Sequence, residues 1–197
     1  MAKRLSRSPE RSEPLTGTAA FKVDLYFWLQ ALTAALVGLI LVFTFVGRVI
    51  GVDGNSMLPT LHHGDTMLLQ SLGYAPHQGD VVVLTKYFEN VQGPIVKRVI
   101  ATEGQTVDID YAAGTVTVDG VVLDEPYIKE SMRQPFFGGA SRVTVPKGHI
   151  FVMGDNRNDS LDSRFPALGT VDRRYVLGRV LMVLAPMDHF KWIGQGE

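Results

Sequence analysis

A serine lies between a glycine and a proline in the segment GNSMLPTL, residues 54–61. A small residue before a serine and a proline after it are typical of a tight turn, which would expose the Ser56 hydroxyl as a candidate nucleophile. Taken alone, the segment fits an ordinary surface loop better. A catalytic interpretation therefore depends on a base elsewhere in the chain.

A basic pair, Lys97 and Arg98, interrupts an apolar run at residues 95–100. In a strand, Lys97 would share one face with Ile95 and Val99, whereas Arg98 would point to the other side. Most strand lysines are solvated, and that is the simpler interpretation. A lysine held among apolar groups loses its charged form more readily, however, and becomes a candidate general base.

The segment GDNRNDSLDSR, residues 154–164, is dense in hydrogen-bonding groups. Its Asp and Asn side chains could bind calcium, but the loop lacks the central glycine and terminal glutamate of an EF-hand. The plainer alternative is a turn whose Asp and Asn side chains satisfy their own backbone. The residues that could bind calcium are Asp155, Asn156, Asp159 and Asp162.

Composition excludes several other chemistries. Nineteen basic and 20 acidic residues leave a net charge of −1, which gives no basic excess for nucleic acid. The absence of cysteine excludes disulfides, thiolate metal sites and a cysteine nucleophile. The five histidines show no His-x-x-x-His spacing. We therefore predict no metal and no cofactor.

The run from Leu25 to Gly47 contains 23 residues and no charge. As a helix it would be about 34 Å long, enough to cross a bilayer core of about 30 Å. A buried core helix is one alternative, but the run is apolar on every face. A cleaved signal peptide is another, but its apolar stretch would be about 7–15 residues and would end in a small-x-small site. We predict an uncleaved transmembrane helix over residues 25–48.

Residues 1–24 are polar, and we predict a disordered cytoplasmic tail. Basic residues are concentrated before the apolar run, whereas Arg48 is the sole basic residue between that run and Lys86. The positive-inside rule then places the N-terminus in the cytoplasm and residues 49–197 outside the cell membrane. The basic residues before the run are Lys3, Arg4, Arg7, Arg11 and Lys22.

Short apolar runs separated by turn residues fill the region after residue 49, and no long amphipathic helical period occurs there. Asp119-Gly120 between two valine-rich runs predicts a hairpin with a type I′ turn. This pattern predicts a mainly β domain of antiparallel sheets. The expected strands are Met67–Leu69, Val81–Leu84, Ile95–Ile100, Val107–Ile109, Thr115–Val118, Val121–Leu123, Arg142–Val145, Ile150–Met153 and Val176–Leu184.

The three polar segments, in this order after one transmembrane helix, resemble the bacterial type I signal peptidase family in its short, Gram-positive-like form. The resemblance covers residues 25 to about 186 and implies the antiparallel β-sheet catalytic domain of that family. GNSMLPTL implies that Ser56 is the nucleophile, and VKRVIATEGQTV implies that Lys97 is the general base. GDNRNDSLDSR aligns Ser160 with the serine that positions the lysine. It also implies supporting roles for Asp155, Asp162 and Arg164.

The same resemblance implies a membrane-bound serine endopeptidase that removes signal peptides from secretory preproteins after small-x-small sites. It places shallow substrate pockets for the −1 and −3 side chains at Val52, Met57, Leu61, Ile95 and Val96. Some family members carry an oxyanion-hole serine where this chain has Gly54, so backbone N–H groups must serve here.

Two other kinds of protein share parts of this pattern. A non-enzymatic bitopic membrane protein with an extracellular β binding domain would explain the anchor and the strands, but it leaves the three polar segments unexplained. A Ser-Lys self-cleaving repressor would need a DNA-binding domain, for which the polar N-terminal tail is too short.

Overall fold

The computed structural model describes residues 17–45, 47–86, 93–133 and 138–194. Helix α1 spans Gly17–Phe45. Its segment Phe21–Leu41 is long and apolar enough to cross a membrane, and its side chains are exposed. The exposed side chains include Phe27, Trp28 and Leu32.

The helix differs from the predicted span at both ends. It begins at Gly17, so residues 17–24 are helical and do not belong to a disordered tail. The tail prediction for residues 1–16 lies outside the described residues. At the other end, Gly47 and Arg48 belong to the first strand, because they pair with the strand that follows.

After the helix, the described chain consists of strands, turns and two short 3-10 helices at Arg173–Tyr175 and Met187–His189. The strands are β1 (Gly47–Gly51), β2 (Thr66–Gln70), β3 (Val81–Leu84), β4 (Ile95–Thr102), β5 (Thr106–Asp110), β6 (Thr115–Val118), β7 (Val121–Val122), β8 (Arg142–Thr144), β9 (His149–Met153), β10 (Val171–Asp172), β11 (Val176–Ala185) and β12 (Lys191–Trp192).

The described strands form two antiparallel sheets. The larger has the order β1-β2-β11-β3-β4-β9-β10, with β12 added to β11, and the smaller has the order β7-β6-β5-β8. Each of the nine predicted runs corresponds to a strand, and Asp119 and Gly120 both have positive φ, as a type I′ turn between β6 and β7 requires. The prediction of a mainly β, antiparallel fold after one apolar helix is confirmed.

Three strands have no counterpart in the sequence prediction: β1, β10 and β12. Strand β1 is bounded by two glycines and becomes a strand by pairing along its whole length with β2. Strands β10 and β12 have two residues each and are defined by pairing with β9 and β11. Such short strands depend on their neighbours and carry no periodicity of their own.

Strand β4 holds the basic pair in the middle of the larger sheet. Lys97 pairs with Val82 of β3, and Arg98 pairs with both Val81 of β3 and Met153 of β9. The end of β9 at Met153 leads directly into the polar segment 154–164. The sheet therefore brings two of the three candidate segments together by hydrogen-bonded register.

Candidate active site

The Ser56 hydroxyl and the Lys97 amine are in contact: Lys97 Nζ lies 2.6 Å from Ser56 Oγ. Ser56 belongs to a loop between β1 and β2, whose ends are joined by a hydrogen bond from the Val52 N–H to the Asp65 carbonyl. Met57 and Leu61 of this loop are only 2% and 0% exposed, so they anchor it in the core. The loop and β4 thus hold the two groups at hydrogen-bonding distance.

The Lys97 side chain is 3% exposed, although it is charged in its ordinary state. Burial lowers the pKa of Lys97 to about 8, because an ammonium loses more solvation than a neutral amine. The negative charges of Asp162 and Asp155 oppose this shift, whereas Arg164 adds to it. About a tenth of the amine is therefore uncharged at pH 7 and available to accept a proton, far more than for an ordinary lysine.

The polar segment 154–164 packs directly on the backbone of the Ser56 loop. The Asn156 N–H donates to the Ser56 carbonyl at 3.0 Å, and its side-chain amide donates to the Asn55 carbonyl at 3.1 Å. A Cβ at Gly154 would lie 2.5 Å from the Ser56 carbonyl oxygen and closer still to Ser160 Oγ. Only glycine allows this approach, so Gly154 sets how closely the two segments dock.

Ser160 lies beside this contact, but its hydroxyl does not reach the lysine. Its Oγ is buried and has no hydrogen-bond partner among the residues that the structure describes. The expected hydrogen bond from Ser160 to Lys97 is therefore not formed in this structure. The Ser160 hydroxyl lies next to Gly154.

The carboxylates of the polar segment pair with buried arginines. Asp162 accepts from Arg164 Nε and Nη2 at 2.8 and 2.9 Å, and it also accepts the Gly154 N–H at 3.0 Å. Asp155 accepts from Arg98 Nε and Nη2 at 2.9 and 2.7 Å. Both carboxylates are therefore neutralised by guanidinium groups, which argues against the calcium interpretation.

Several of these contacts could not be assigned from the sequence. Arg98 pairs with Asp155, stacks 3.9 Å from the Tyr127 ring and donates to the Gly79 carbonyl. Thr60 donates to the same Asp155 carboxylate. Arg98 and Thr60 lie inside the sequence motifs, but the motifs do not indicate which arginine pairs with which carboxylate. Another buried pair, Arg157 with Glu125, involves a residue outside all three motifs.

The residues expected to form substrate pockets are mostly core residues. One core cluster contains four of them, and these four side chains are buried, so they expose little surface to a substrate in this structure. Ile95 is partly buried and packs against a different cluster, so it alone keeps appreciable exposed surface. The four in one cluster are Val52, Met57, Leu61 and Val96.

Gly54 has a φ of +98°, in the region that residues with a Cβ rarely adopt. A serine at this position would be strained in this backbone conformation. The Gly54 N–H is directed to His63 Nδ1 at 3.3 Å.

A buried lysine on a strand, in contact with a serine on a loop, has the geometry of a nucleophile beside a base. The family model described as "Signal peptidase, peptidase S26" matches residues 25–185 of the chain. The chain belongs to this family.

Curated relatives agree with this assignment. "Signal peptidase I" of Bacillus licheniformis is 33% identical over 179 residues, which cover 86% of this chain and 94% of that protein. "Probable signal peptidase I-1" of Synechocystis sp. is 36% identical and covers 84% and 85%, respectively. "Signal peptidase IB" of Staphylococcus aureus strain MRSA252 is 31% identical and covers 87% and 95%. These similarities favour a peptidase over a non-enzymatic binding domain.

Proposed function

We propose that this protein is a membrane-bound serine endopeptidase that uses Ser56 as nucleophile and Lys97 as general base to remove signal peptides from secretory preproteins. The observation that carries the proposal is the 2.6 Å contact between Lys97 Nζ and Ser56 Oγ, with the lysine buried. The pKa of about 8 makes Lys97 a suitable base near neutral pH. Similarity to signal peptidases I supports the substrate class.

The chemistry follows from these two side chains. The neutral Lys97 amine accepts the Ser56 proton while Oγ attacks the scissile carbonyl, and the C–N bond then breaks as the lysine returns the proton to the leaving amine. An ester to Ser56 remains. Water attacks this ester, Lys97 accepts the water proton, and the acid product leaves as Ser56 Oγ regains a proton. Neither histidine nor metal is required for this sequence.

The neighbouring groups have supporting roles in this proposal. Asp155 joins the polar segment to β4 through its ion pair with Arg98 and to the Ser56 loop through the Thr60 hydroxyl, and the Arg164–Asp162 ion pair braces the polar segment itself. Ser160 would orient the Lys97 amine after a rotation of its hydroxyl. Backbone N–H groups of the Ser56 loop would bind the oxyanion, and Ile95 offers exposed surface to small side chains of the substrate.

Replacing Ser56 with alanine should reduce cleavage of a preprotein with an Ala-x-Ala site by at least about 10³-fold, since no nucleophile remains. The full chain in detergent is mixed with the preprotein, and product is measured by gel and mass spectrometry. Ser141→Ala changes an exposed serine away from the contact and serves as the matched control. Near-full turnover by a folded Ser56→Ala variant would remove the nucleophile assignment.

The anchor and its orientation form a second part of the proposal. We expect a protease added outside spheroplasts to digest the region 49–197 and to leave a tag at Met1 intact, because the basic residues precede the apolar helix. Both ends are followed by immunoblotting, and detergent-lysed cells are the control in which both are digested. Protection of the β domain together with loss of the Met1 tag would reverse the orientation.

A further inference from the structure

Three side chains that are far apart in the sequence meet beside the Ser56 loop. His62 and Asp65 lie at the end of that loop, just before β2, and His189 ends the second 3-10 helix, which follows β11. The pairing of Thr66 with Ala185 brings the start of β2 to the end of β11. Register between two strands therefore assembles a group that the histidine spacing in the sequence does not indicate.

The geometry of this group suits a metal ion. The ligand atoms that the three residues offer all lie within 4.8 Å of one another. His189 Nδ1 lies 2.7 Å from Asp65 Oδ1, and His62 Nδ1 lies 4.0 Å from Asp65 Oδ2. The two imidazole rings face each other with centroids 4.7 Å apart. The nitrogen and oxygen atoms thus surround one small volume.

A separate observation points to a missing ligand. His62 Nδ1 is buried and has no hydrogen-bond partner within the described parts of the chain, although a buried ring nitrogen ordinarily has one. Asp65 is fully buried, and its Oδ2 accepts the backbone N–H of His62 at 2.8 Å, which fixes the carboxylate. A bound cation would satisfy His62 Nδ1, and the hydrogen bond to Asp65 would act as the outer-shell support that metal ligands usually have.

We propose that His62, Asp65 and His189 form a binding site for a divalent transition-metal ion, with zinc as the best match. Two imidazoles and one carboxylate are ordinary zinc ligands, and bonds of about 2.0–2.1 Å in a tetrahedron place ligand atoms about 3.3 Å apart. The observed separations, 2.7 Å from His189 Nδ1 to Asp65 Oδ1 and 4.0 Å from His62 Nδ1 to Asp65 Oδ2, lie within about 0.7 Å of that value but end on different carboxylate oxygens. Ion binding would break the hydrogen bond between His189 and Asp65. Because the ligand atoms already lie within 4.8 Å of one another, small shifts of these side chains are enough for all three to bind the ion.

The fourth coordination position would face solvent, since the side chains of His62 and His189 are 45% and 34% exposed. The ion would join the loop that carries Ser56 to the segment after β11. Its role would be structural: it would hold the end of this loop against the segment after β11, without taking part in proton transfer. The inference stands independently of the proposed peptidase mechanism.

Calorimetric titration of the chelator-treated full chain in detergent with zinc chloride tests the site. We expect one ion per chain, and we expect His189→Gln and His62→Gln each to weaken binding by more than about tenfold, because loss of even an outer-shell partner costs 10–100-fold. Cobalt titration should give the strong visible bands of tetrahedral coordination, and His189→Gln should lose them.

The matched control is His77→Gln. His77 stands three residues before buried Asp80, donates its backbone N–H to that carboxylate at 3.0 Å and lies 3.6 Å from it through Nδ1. Among the residues that the structure describes, His77 belongs to no such group of three ligands. This variant should bind zinc and cobalt as the wild type does. The proposal fails if the wild type binds no ion at equimolar concentration. It also fails if His189→Gln and His77→Gln bind alike, which would leave a metal-free hydrogen-bonded cluster.

Discussion

Replacing Lys97 with arginine should reduce turnover by at least about 10³-fold, as much as replacing it with alanine. Arginine keeps the positive charge and much of the length, but its pKa lies above about 12, so it remains protonated and cannot accept the Ser56 proton. A lysine that served only as a cation or an ion-pair partner would be replaced well by arginine. The two roles therefore give opposite results for one conservative change.

The wild-type pH profile gives the same test without a mutation. The base is active when deprotonated, so kcat/KM should rise about tenfold per pH unit below pH 7 and level off above the Lys97 pKa of about 8. Turnover of the Ala-x-Ala preprotein is measured from pH 6 to 10. A profile that is flat over this range would contradict the assignment of the base.

Lys129→Arg is the control for the arginine substitution, because Lys129 is exposed. It should keep wild-type turnover and the wild-type pH profile. Circular dichroism of Lys97→Arg separates loss of chemistry from loss of fold. Substantial activity in a folded Lys97→Arg protein would remove Lys97 as the base and, with it, the proposed mechanism.

Replacing Asp155 with alanine should lower the free energy of unfolding by about 3–5 kcal/mol, since it leaves the buried Arg98 guanidinium without its bidentate partner. The same change frees the Thr60 hydroxyl and loosens the polar segment from β4. We expect lower thermal stability and a lower urea midpoint with the full chain in one detergent.

Two further variants test whether the loss of stability comes from the buried Arg98–Asp155 pair. Asp108 also faces an arginine, Arg142 at 3.2 Å, but both side chains are substantially exposed, so Asp108→Ala should cost no more than about 1 kcal/mol. The double variant Arg98→Met with Asp155→Leu replaces both charges by apolar groups and should recover much of the lost stability. Equal losses of unfolding free energy in Asp155→Ala and Asp108→Ala would show that the buried Arg98–Asp155 pair contributes no more to stability than the exposed pair.

Much of the fold follows from local sequence signals. The uncharged run predicts the apolar helix, and the valine-rich runs predict strands because β-branched residues favour them and glycine or proline interrupts them. The two positive φ angles at Asp119 and Gly120 follow from turn chemistry alone. Strand β1 escaped prediction because its pairing with β2, and not its own composition, makes it a strand.

The candidate site likewise contains residues that the sequence predicts and contacts that it does not. Motif order predicts Ser56 and Lys97 as the catalytic pair, and the fold places the two side chains in contact. The pairing of Asp155 with Arg98, the close approach at Gly154 and the grouping of His62 with His189 depend on contacts between distant segments. No local pattern encodes such contacts, since each needs the register of strands that are separated in the chain.

The placement of Lys97 and Arg98 on consecutive positions of β4 limits how this sequence can change in length. A shift of β4 by one residue against β3 would bring a guanidinium to the place of the amine and leave the Asp155 carboxylate facing the wrong side chain. Insertions and deletions within β4 would therefore remove the proposed base and a buried ion pair in one event. The exposed turns beside Gly104 and Gly120 lie outside this constraint, so related chains should vary in length at such turns and keep a constant spacing through β4.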